Sequence, residues 1–216
     1  MRNKAFTGVA VLTGLVLLVF MFWYSGGEEP LSAEEEDQLI GQIQSQTQKP
    51  GGQHDITALR QFLSEDDGQP FYTVNLYKYY DQAQYPHDWD VTAAPKVSGR
   101  HAYNRFSQVM VKLLAKQASH PIFGSDWMDN NTQQWDRLVI VRYRSRRDIA
   151  LIFASDEFAQ ASAHKWAALE KNQRFLVQGL HIPELFLFAM LIFISLVAAA
   201  LYRVFRLSGE RYRDTR

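Results

Sequence analysis

The chain has 216 residues, with 23 basic and 23 acidic side chains, so its formal net charge at pH 7 is zero. The central stretch 25–184 is net acidic, and we therefore discount nucleic acid as a partner. The absence of cysteine excludes disulfides and thiolate sites for metals or redox chemistry.

Two long apolar runs lie near the ends of the chain, at Ala5–Tyr24 and at Leu185–Tyr202. Each is long enough to cross a hydrocarbon core of about 30 Å as a helix. The first run has no small-x-small cleavage site near its end, so we interpret it as an uncleaved signal anchor. The sequence therefore predicts two transmembrane helices, at 5–24 and 184–202.

Charge at the outer ends of these runs predicts an orientation. The tail 1–4 carries only basic charge, and the tail 203–216 carries more arginines than acids. By the positive-inside rule, both tails are predicted to be cytoplasmic. The middle of the chain is then periplasmic, in a protein of the bacterial inner membrane.

Residues 25–54 are predicted to form an acidic linker that contains one short helix. Ser32 followed by Glu35 is a capping box, which marks the start of a helix. The apolar residues Leu39, Ile40 and Ile43 then indicate a helix over roughly 33–46. We interpret it as a spacer, although a partner-binding helix would show the same pattern.

Residues 55–182 alternate between helical and extended patterns, which predicts one compact domain. The patterns predict a short helix after Asp55, a strand at 71–80, a helix at 98–117, a short strand at 122–124, a strand at 136–143, a helical region at 145–169 that breaks at Ser155, and a strand at 174–180. Apart from the first helix, this order is strand, helix, strand, strand, helix, strand. It predicts an α+β fold of the ferredoxin-like split βαβ type.

The loop at 81–98 is longer than a simple connection needs and could be a lid over a site. The strand at 136–143 is apolar on both faces: Leu138 and Ile140 share one face, and Val139 and Val141 share the other. Two helices cover only one face of a four-stranded sheet. We therefore expect a homodimer built sheet against sheet, with Val139 and Val141 against the partner.

Several stretches resemble a known family. They are VNLYKY at 74–79, WDRLVIV at 135–141, SDEF at 155–158 and His164-Lys165. They resemble the domain of unknown function 1330 family, a set of small dimeric α/β-barrel proteins that are mostly bacterial. The resemblance covers about residues 55–180 and implies a ferredoxin-like dimeric α/β barrel. The matching motifs are structural and none is catalytic. The chain departs from the family at Ser119-His120-Pro121, where a glycine pair is usual, and at Lys165, where arginine is common.

A fold of this class places a cleft between its sheet and its helices, where apolar walls and a few polar groups suit a small ligand. The candidate pocket residues are Asn75, Tyr77, Tyr103, His120, Trp135 and His164. The alternative is that these side chains are ordinary core and interface residues.

A basic cluster around the turn before the helical region at 145–169 is a second candidate. Arg144, Arg146 and Arg147 could hold an anion or a lipid headgroup at a helix N-terminus. The alternative is a solvated turn between a strand and a helix. No two histidines have the spacing of a metal site, and we expect neither a metal nor a cofactor.

Two functions remain open, and the sequence assigns no catalytic residue. The first is a membrane-anchored dimeric module that binds a small apolar or aromatic ligand or mediates an interaction. The second is a cofactor-independent enzyme, monooxygenase- or isomerase-like, that acts on a small aromatic or carbonyl compound. An enzyme needs a poised titratable group, for which His120, His164 and Tyr103 are the candidates.

Overall fold

The computed structural model describes residues 2–25, 29–47, 49, 52, 54–85, 97–126, 134–179, 189–197, 199–203 and 206. Its elements are α1 (Arg2–Ser25), α2 (Ala33–Ser45), α3 (Ile56–Ser64), β1 (Phe71–Tyr79), α4 (Gly99–Lys116), β2 (His120–Asp126), β3 (Arg137–Tyr143), α5 (Arg146–Phe153), α6 (Asp156–Ala168) and β4 (Leu169–Val177). Residues 189–197 and 199–203 are also helical.

The four strands form one antiparallel sheet in the order β2-β3-β1-β4. The chain passes from β1 through α4 to the β2–β3 pair, and then through α5 and α6 to β4. This order of elements is that of the split βαβ arrangement. The prediction of an α+β fold with a four-stranded antiparallel sheet is confirmed.

Side-chain caps set the starts of the helices. Ser32 accepts a hydrogen bond from the backbone of Glu35, and the Glu35 side chain accepts one from the backbone of Ser32, so the predicted capping box is present. Asp55 and Ser98 cap α3 and α4 in the same way. Ser155 caps α6, which explains why the helical region predicted at 145–169 is two helices.

Helices cover one face of the sheet, whereas much of the other face is not covered by helices in the part of the chain that the structure describes. Buried and half-buried residues alternate along β1, and its buried residues face α3 and α4. Across β1, Thr73 pairs with Val141 and Asn75 pairs with Val139. Because paired residues of neighbouring strands share a face, Val139 and Val141 lie on the helix side, where Val141 is part of the core. The prediction that these two valines face a partner sheet is wrong.

The open face of the sheet is instead formed by the other set of alternating residues. Val74 pairs with Ile140, and Leu76 pairs with Leu138. On β4, Phe175 and Val177 lie on the same face and are 48% and 37% exposed. The pattern along β3 alone could not decide between its faces, because both are apolar.

Two strands differ in length from their predictions. β4 runs over Leu169–Val177 and not over 174–180, because α6 ends at Ala168 and the backbone of Leu169 is already extended. The Ala168 carbonyl accepts a hydrogen bond from the backbone of Tyr80, which ties the end of α6 to the end of β1. β2 spans His120–Asp126 and is longer than the predicted 122–124, because it pairs with β3 over that whole length.

Among the described residues, no helix combines the length and the apolarity needed to cross a membrane. In the second apolar run, the described helical stretches are 189–197 and 199–203. The predicted location in the bacterial inner membrane, with two spans, cytoplasmic termini and a periplasmic domain, is therefore wrong. The start of that run at 185–188 and the tail 207–216 lie outside the described residues.

The chain forms two compact units, Met1–Gly179 and Leu180–Arg216. The first unit contains the sheet and a single buried core, to which α2 contributes Leu39, Ile40 and Ile43. Most of the predicted lid loop, at 86–96, lies outside the described residues.

Candidate functional site

Three tyrosines form a buried layer between the sheet and α4. The ring centroid of Tyr103 lies 4.9 Å from that of Tyr77 and 5.6 Å from that of Tyr79. Burial raises the pKa of all three hydroxyls, that of Tyr79 to about 12. The hydroxyls of Tyr77 and Tyr103 lie close enough to affect each other's pKa. All three hydroxyls are therefore protonated at physiological pH.

The side chain of Asn75, next to this layer, is held by hydrogen bonds to neighbouring residues of the sheet. Its side-chain nitrogen donates to the Val139 carbonyl at 3.2 Å and to the Thr73 hydroxyl at 2.9 Å. Asn75 is 4% exposed, so these hydrogen bonds satisfy a polar group that burial would otherwise destabilise. The geometry brings Asn75, Tyr77 and Tyr103 to the same side of the sheet, and their role in binding a ligand stays a prediction.

A cleft of about 470 Å³ opens beside this layer, between α4 and the β2–β3 half of the sheet. One wall includes Tyr103, Phe106 and Met110 of α4, and the other includes Val139 and Val141 of β3. These side chains form mainly apolar walls, and the volume lies within the range of small-molecule sites.

Arg137 contributes the charged group of this cleft. It begins β3, pairs with Tyr77 across the sheet, and lies near the Tyr79 hydroxyl. Its Nε is 3.9 Å from a carboxylate oxygen of Asp126, too far for a hydrogen bond, and has no hydrogen-bond partner among the described residues. The cleft therefore combines apolar walls with a partly buried guanidinium.

A second unusual group lies on the other side of Phe106. Lys165 of α6 is only 6% exposed, and its Nζ lies 5.6 Å from the centroid of the Phe106 ring and 4.7 Å from that of Trp166. Burial, followed by the charge of Arg174, lowers the pKa of Lys165 to about 7. Burial and the same arginine lower the pKa of His54 to about 4.

The remaining pocket candidates are dispersed. The His164 ring nitrogen Nδ1 is 2.8 Å from the Tyr85 hydroxyl and faces a separate groove of about 580 Å³ along α4 and α6. The ring of His120 packs against that of Tyr24, with centroids 5.4 Å apart. Trp135 is half-buried immediately before β3. The structure does not bring these three residues to the cleft.

The three arginines of the basic cluster connect parts of the protein. Arg144 makes two hydrogen bonds to Asp148, at 3.0 and 2.9 Å. Arg146 donates to the Phe62 carbonyl at 2.7 Å, and Arg147 pairs with Glu35 at 3.1 Å. Each guanidinium thus has protein partners, which favours the structural interpretation of the cluster. Its role in binding an anion or a lipid headgroup stays a prediction.

Sequence reasoning missed Arg137, Lys165 and His54 as site residues. The apolar positions of α4 marked the helix but not the cleft beside it, because a cleft depends on how far a helix lies from a strand. Lys165 follows a run of small residues in α6, and its spacing gave no sign of burial. Among the described residues, no cluster of histidines and acids could hold a metal ion.

Comparisons with known proteins bear on the fold. No family model matches the chain, and none of the curated proteins matches it, so its resemblance to the domain of unknown function 1330 family stays a prediction. Crystal structures of the RPA0582 protein, described as a protein of unknown function from Rhodopseudomonas palustris, are similar to it. The methylated form is 18% identical, with a TM-score of 0.52, over 61% of this chain and 96% of that one. The other structure is 19% identical, with a TM-score of 0.51, over 60% and 97%. At this identity, the likeness shows a shared fold and no more.

Proposed function

We propose that the chain is a small-ligand-binding module whose ligand, an apolar or aromatic compound, occupies the cleft between α4 and the β2–β3 half of the sheet. The observation that carries this proposal is the cleft of about 470 Å³, with its mainly apolar walls and the guanidinium of Arg137. Such a site suits a flat or compact apolar ligand that has one polar group. An acidic or carbonyl oxygen on the ligand would accept a hydrogen bond from the guanidinium of Arg137, which lines the cleft.

The raised pKa of Tyr103 favours a binding function over a catalytic one. The enzyme alternative requires a group that exchanges a proton near physiological pH. Burial raises the pKa of Tyr103, which lines the cleft, well above its usual value, so it is a poor base. His120 and His164, the other candidates, lie away from the cleft, at Tyr24 and Tyr85.

We further propose that two copies of the chain associate through the open face of the sheet, as expected of a dimeric α/β barrel. This face presents Val74, Leu76, Leu138 and Ile140 at its centre, and partly exposed Phe175 and Val177 on β4. An apolar face of this extent favours burial against a complementary surface. A second copy presents the same apolar face about a twofold axis.

A thermal-shift screen of the full-length chain tests the cleft proposal. We expect aromatic acids or quinones to raise the melting temperature, because a ligand that binds only the native state stabilises it by about 2.7 kcal/mol at a hundredfold excess over its Kd. Ser107 lines the cleft, so Ser107→Trp would fill part of it and should abolish the shift.

The matched control is Gln108→Trp, the same change at the next, exposed position of α4. It should leave the shift unchanged. No stabilisation by any compound of the screen, or equal loss in both variants, would contradict the proposal.

A further inference from the structure

Lys165 carries a buried ammonium group. Its side chain is 6% exposed, and among the described residues it has no acidic partner within 4 Å. The contacts of its Nζ are the aromatic rings of Phe106 and Trp166. A buried ammonium group that lacks an anion is strongly destabilised, unless it loses its proton or an anion binds to it.

Two other polar groups, Arg174 and His54, lie near Lys165. Arg174 of β4 is close enough to influence the titration of both Lys165 and His54, and it too has no acidic partner among the described residues. His54 Nε2 is buried and has no hydrogen-bond partner in that part of the chain. The His54 ring itself packs on Phe153, with centroids 4.7 Å apart. Two cations and an imidazole thus lie near one another, close enough for the charges of Arg174 and Lys165 to affect the titration of His54.

Arg174 lies on the helix-facing side of β4. Arg174 pairs with Asn75 across the sheet, and Leu176 pairs with Thr73, so both β4 residues share the face that the helices cover elsewhere. Asn75 and Thr73 are buried, whereas Arg174 is exposed and Leu176 is 51% exposed. The helix layer therefore leaves Arg174 and Leu176 open to solvent at this edge of the sheet.

We propose that Lys165 and Arg174 form a binding site for a small organic anion, a carboxylate attached to an apolar or aromatic body. The carboxylate would accept hydrogen bonds from Arg174 and from Lys165, while the apolar body would contact the aromatic rings around Lys165. This site goes beyond the cleft between α4 and β3, since neither Lys165 nor Arg174 lines that cleft. Its ligand class differs too, because here the negative charge is essential.

Calorimetric titration of the full-length chain with sodium benzoate, and separately with benzyl alcohol at equal ionic strength, tests this site. The two probes have the same ring, but only benzoate is charged. We expect benzoate to bind at least tenfold more tightly than benzyl alcohol. Lys165→Met should weaken benzoate binding at least tenfold, and Lys165→Arg, which keeps the positive charge, should weaken it less than Lys165→Met does.

Arg174→Gln provides a second variant, at an exposed position. It should also weaken benzoate binding. Its matched control is Lys171→Gln, which removes a positive charge from the other face of the same strand. Lys171→Gln should leave benzoate binding unchanged.

Ser107→Trp separates this site from the cleft. Benzoate binding that survives Ser107→Trp but not Lys165→Met belongs to the proposed site, whether or not the cleft binds anything. Binding lost in Ser107→Trp and retained in Lys165→Met would overturn the inference. Equal affinity for benzoate and benzyl alcohol, no benzoate binding at all, or equal loss in Arg174→Gln and Lys171→Gln would overturn it as well.

Discussion

Two buried charges in this protein have opposite surroundings. Asp148 is 0% exposed, but it accepts hydrogen bonds from Arg144 and from the Ser145 hydroxyl, so its carboxylate is fully paired. Lys165 is nearly as buried, and its ammonium group lies against the aromatic rings of Phe106 and Trp166. The first arrangement stabilises the start of α5, whereas the second destabilises the charged form of the lysine.

The pKa of Lys165 predicts how stability depends on pH. Burial lowers this pKa from 10.5 to about 7 in the folded protein, so between these values the unfolded chain binds a proton that the native protein does not. The free energy of unfolding should therefore rise with pH from about 7 to about 10, by at most about 1.4 kcal/mol per pH unit. Denaturant titrations at pH 7 and pH 9.5 measure the rise.

Lys165→Met should remove most of this rise and stabilise the protein at pH 7, because methionine has no charge to desolvate. Lys171→Met, at an exposed position of β4, should keep the rise. A wild-type stability that is flat or falling over this interval would show that Lys165 keeps its proton in the folded protein.

At the scale of elements, one close contact joins β1, α4 and α6. The Gly99 amide donates to the Tyr80 carbonyl at 3.0 Å, and the Tyr80 amide donates to the Ala168 carbonyl at 3.0 Å. A Cβ at Gly99 would lie 2.5 Å from both of these carbonyl oxygens. The start of α4, and therefore the position of Tyr103 in the cleft, depends on the absence of a side chain at this residue.

A pair of glycine substitutions tests this contact. Gly99→Ala should destabilise the protein by about 1–3 kcal/mol, because backbone atoms of two other elements would have to move. Gly41→Ala, inside α2, meets nothing within 4 Å and should stabilise by about 1 kcal/mol through helix propensity. Thermal unfolding of both variants measures these effects, and a neutral Gly99→Ala would contradict the packing described here.

For the whole molecule, the uncovered face of the sheet decides assembly. One corner of this face is occupied by the end of α1, where the Tyr24 ring lies 3.9 Å from the guanidinium carbon of Arg142 and the Tyr24 carbonyl accepts a hydrogen bond from it. The rest of the face presents the apolar residues of β1, β3 and β4 to solvent. Association of two chains is the arrangement that we propose for covering it.

Analytical ultracentrifugation of the full-length chain tests this assembly. We expect a dimer at micromolar concentration, and Ile140→Lys should yield a folded monomer, because a lysine on the open face is tolerated in solvent but not between two sheets. Leu151→Lys, at a 38% exposed position of α5, is the matched control and should remain dimeric. A monomeric wild-type chain, or a dimer that Ile140→Lys leaves intact, would refute association through this face.

The sequence by itself determined the order of the elements and most of their ends. Alternation along β1, the capping residues Ser32, Asp55 and Ser155, and the apolar spacing of α4 are local signals, since each depends on neighbours within a few residues. They were enough to predict an α+β fold with a four-stranded antiparallel sheet.

Only the tertiary structure decided which face of β3 is buried, where β4 begins, and what surrounds Lys165. Val139 and Ile140 are equally apolar, so the burial of one face depended on where the helices cross the sheet. The early start of β4 at Leu169 followed from the pairing of that strand with β1. The ammonium group of Lys165 lies against Phe106 of α4, which is distant from it in sequence, and a residue's distant neighbours leave no pattern in its own segment.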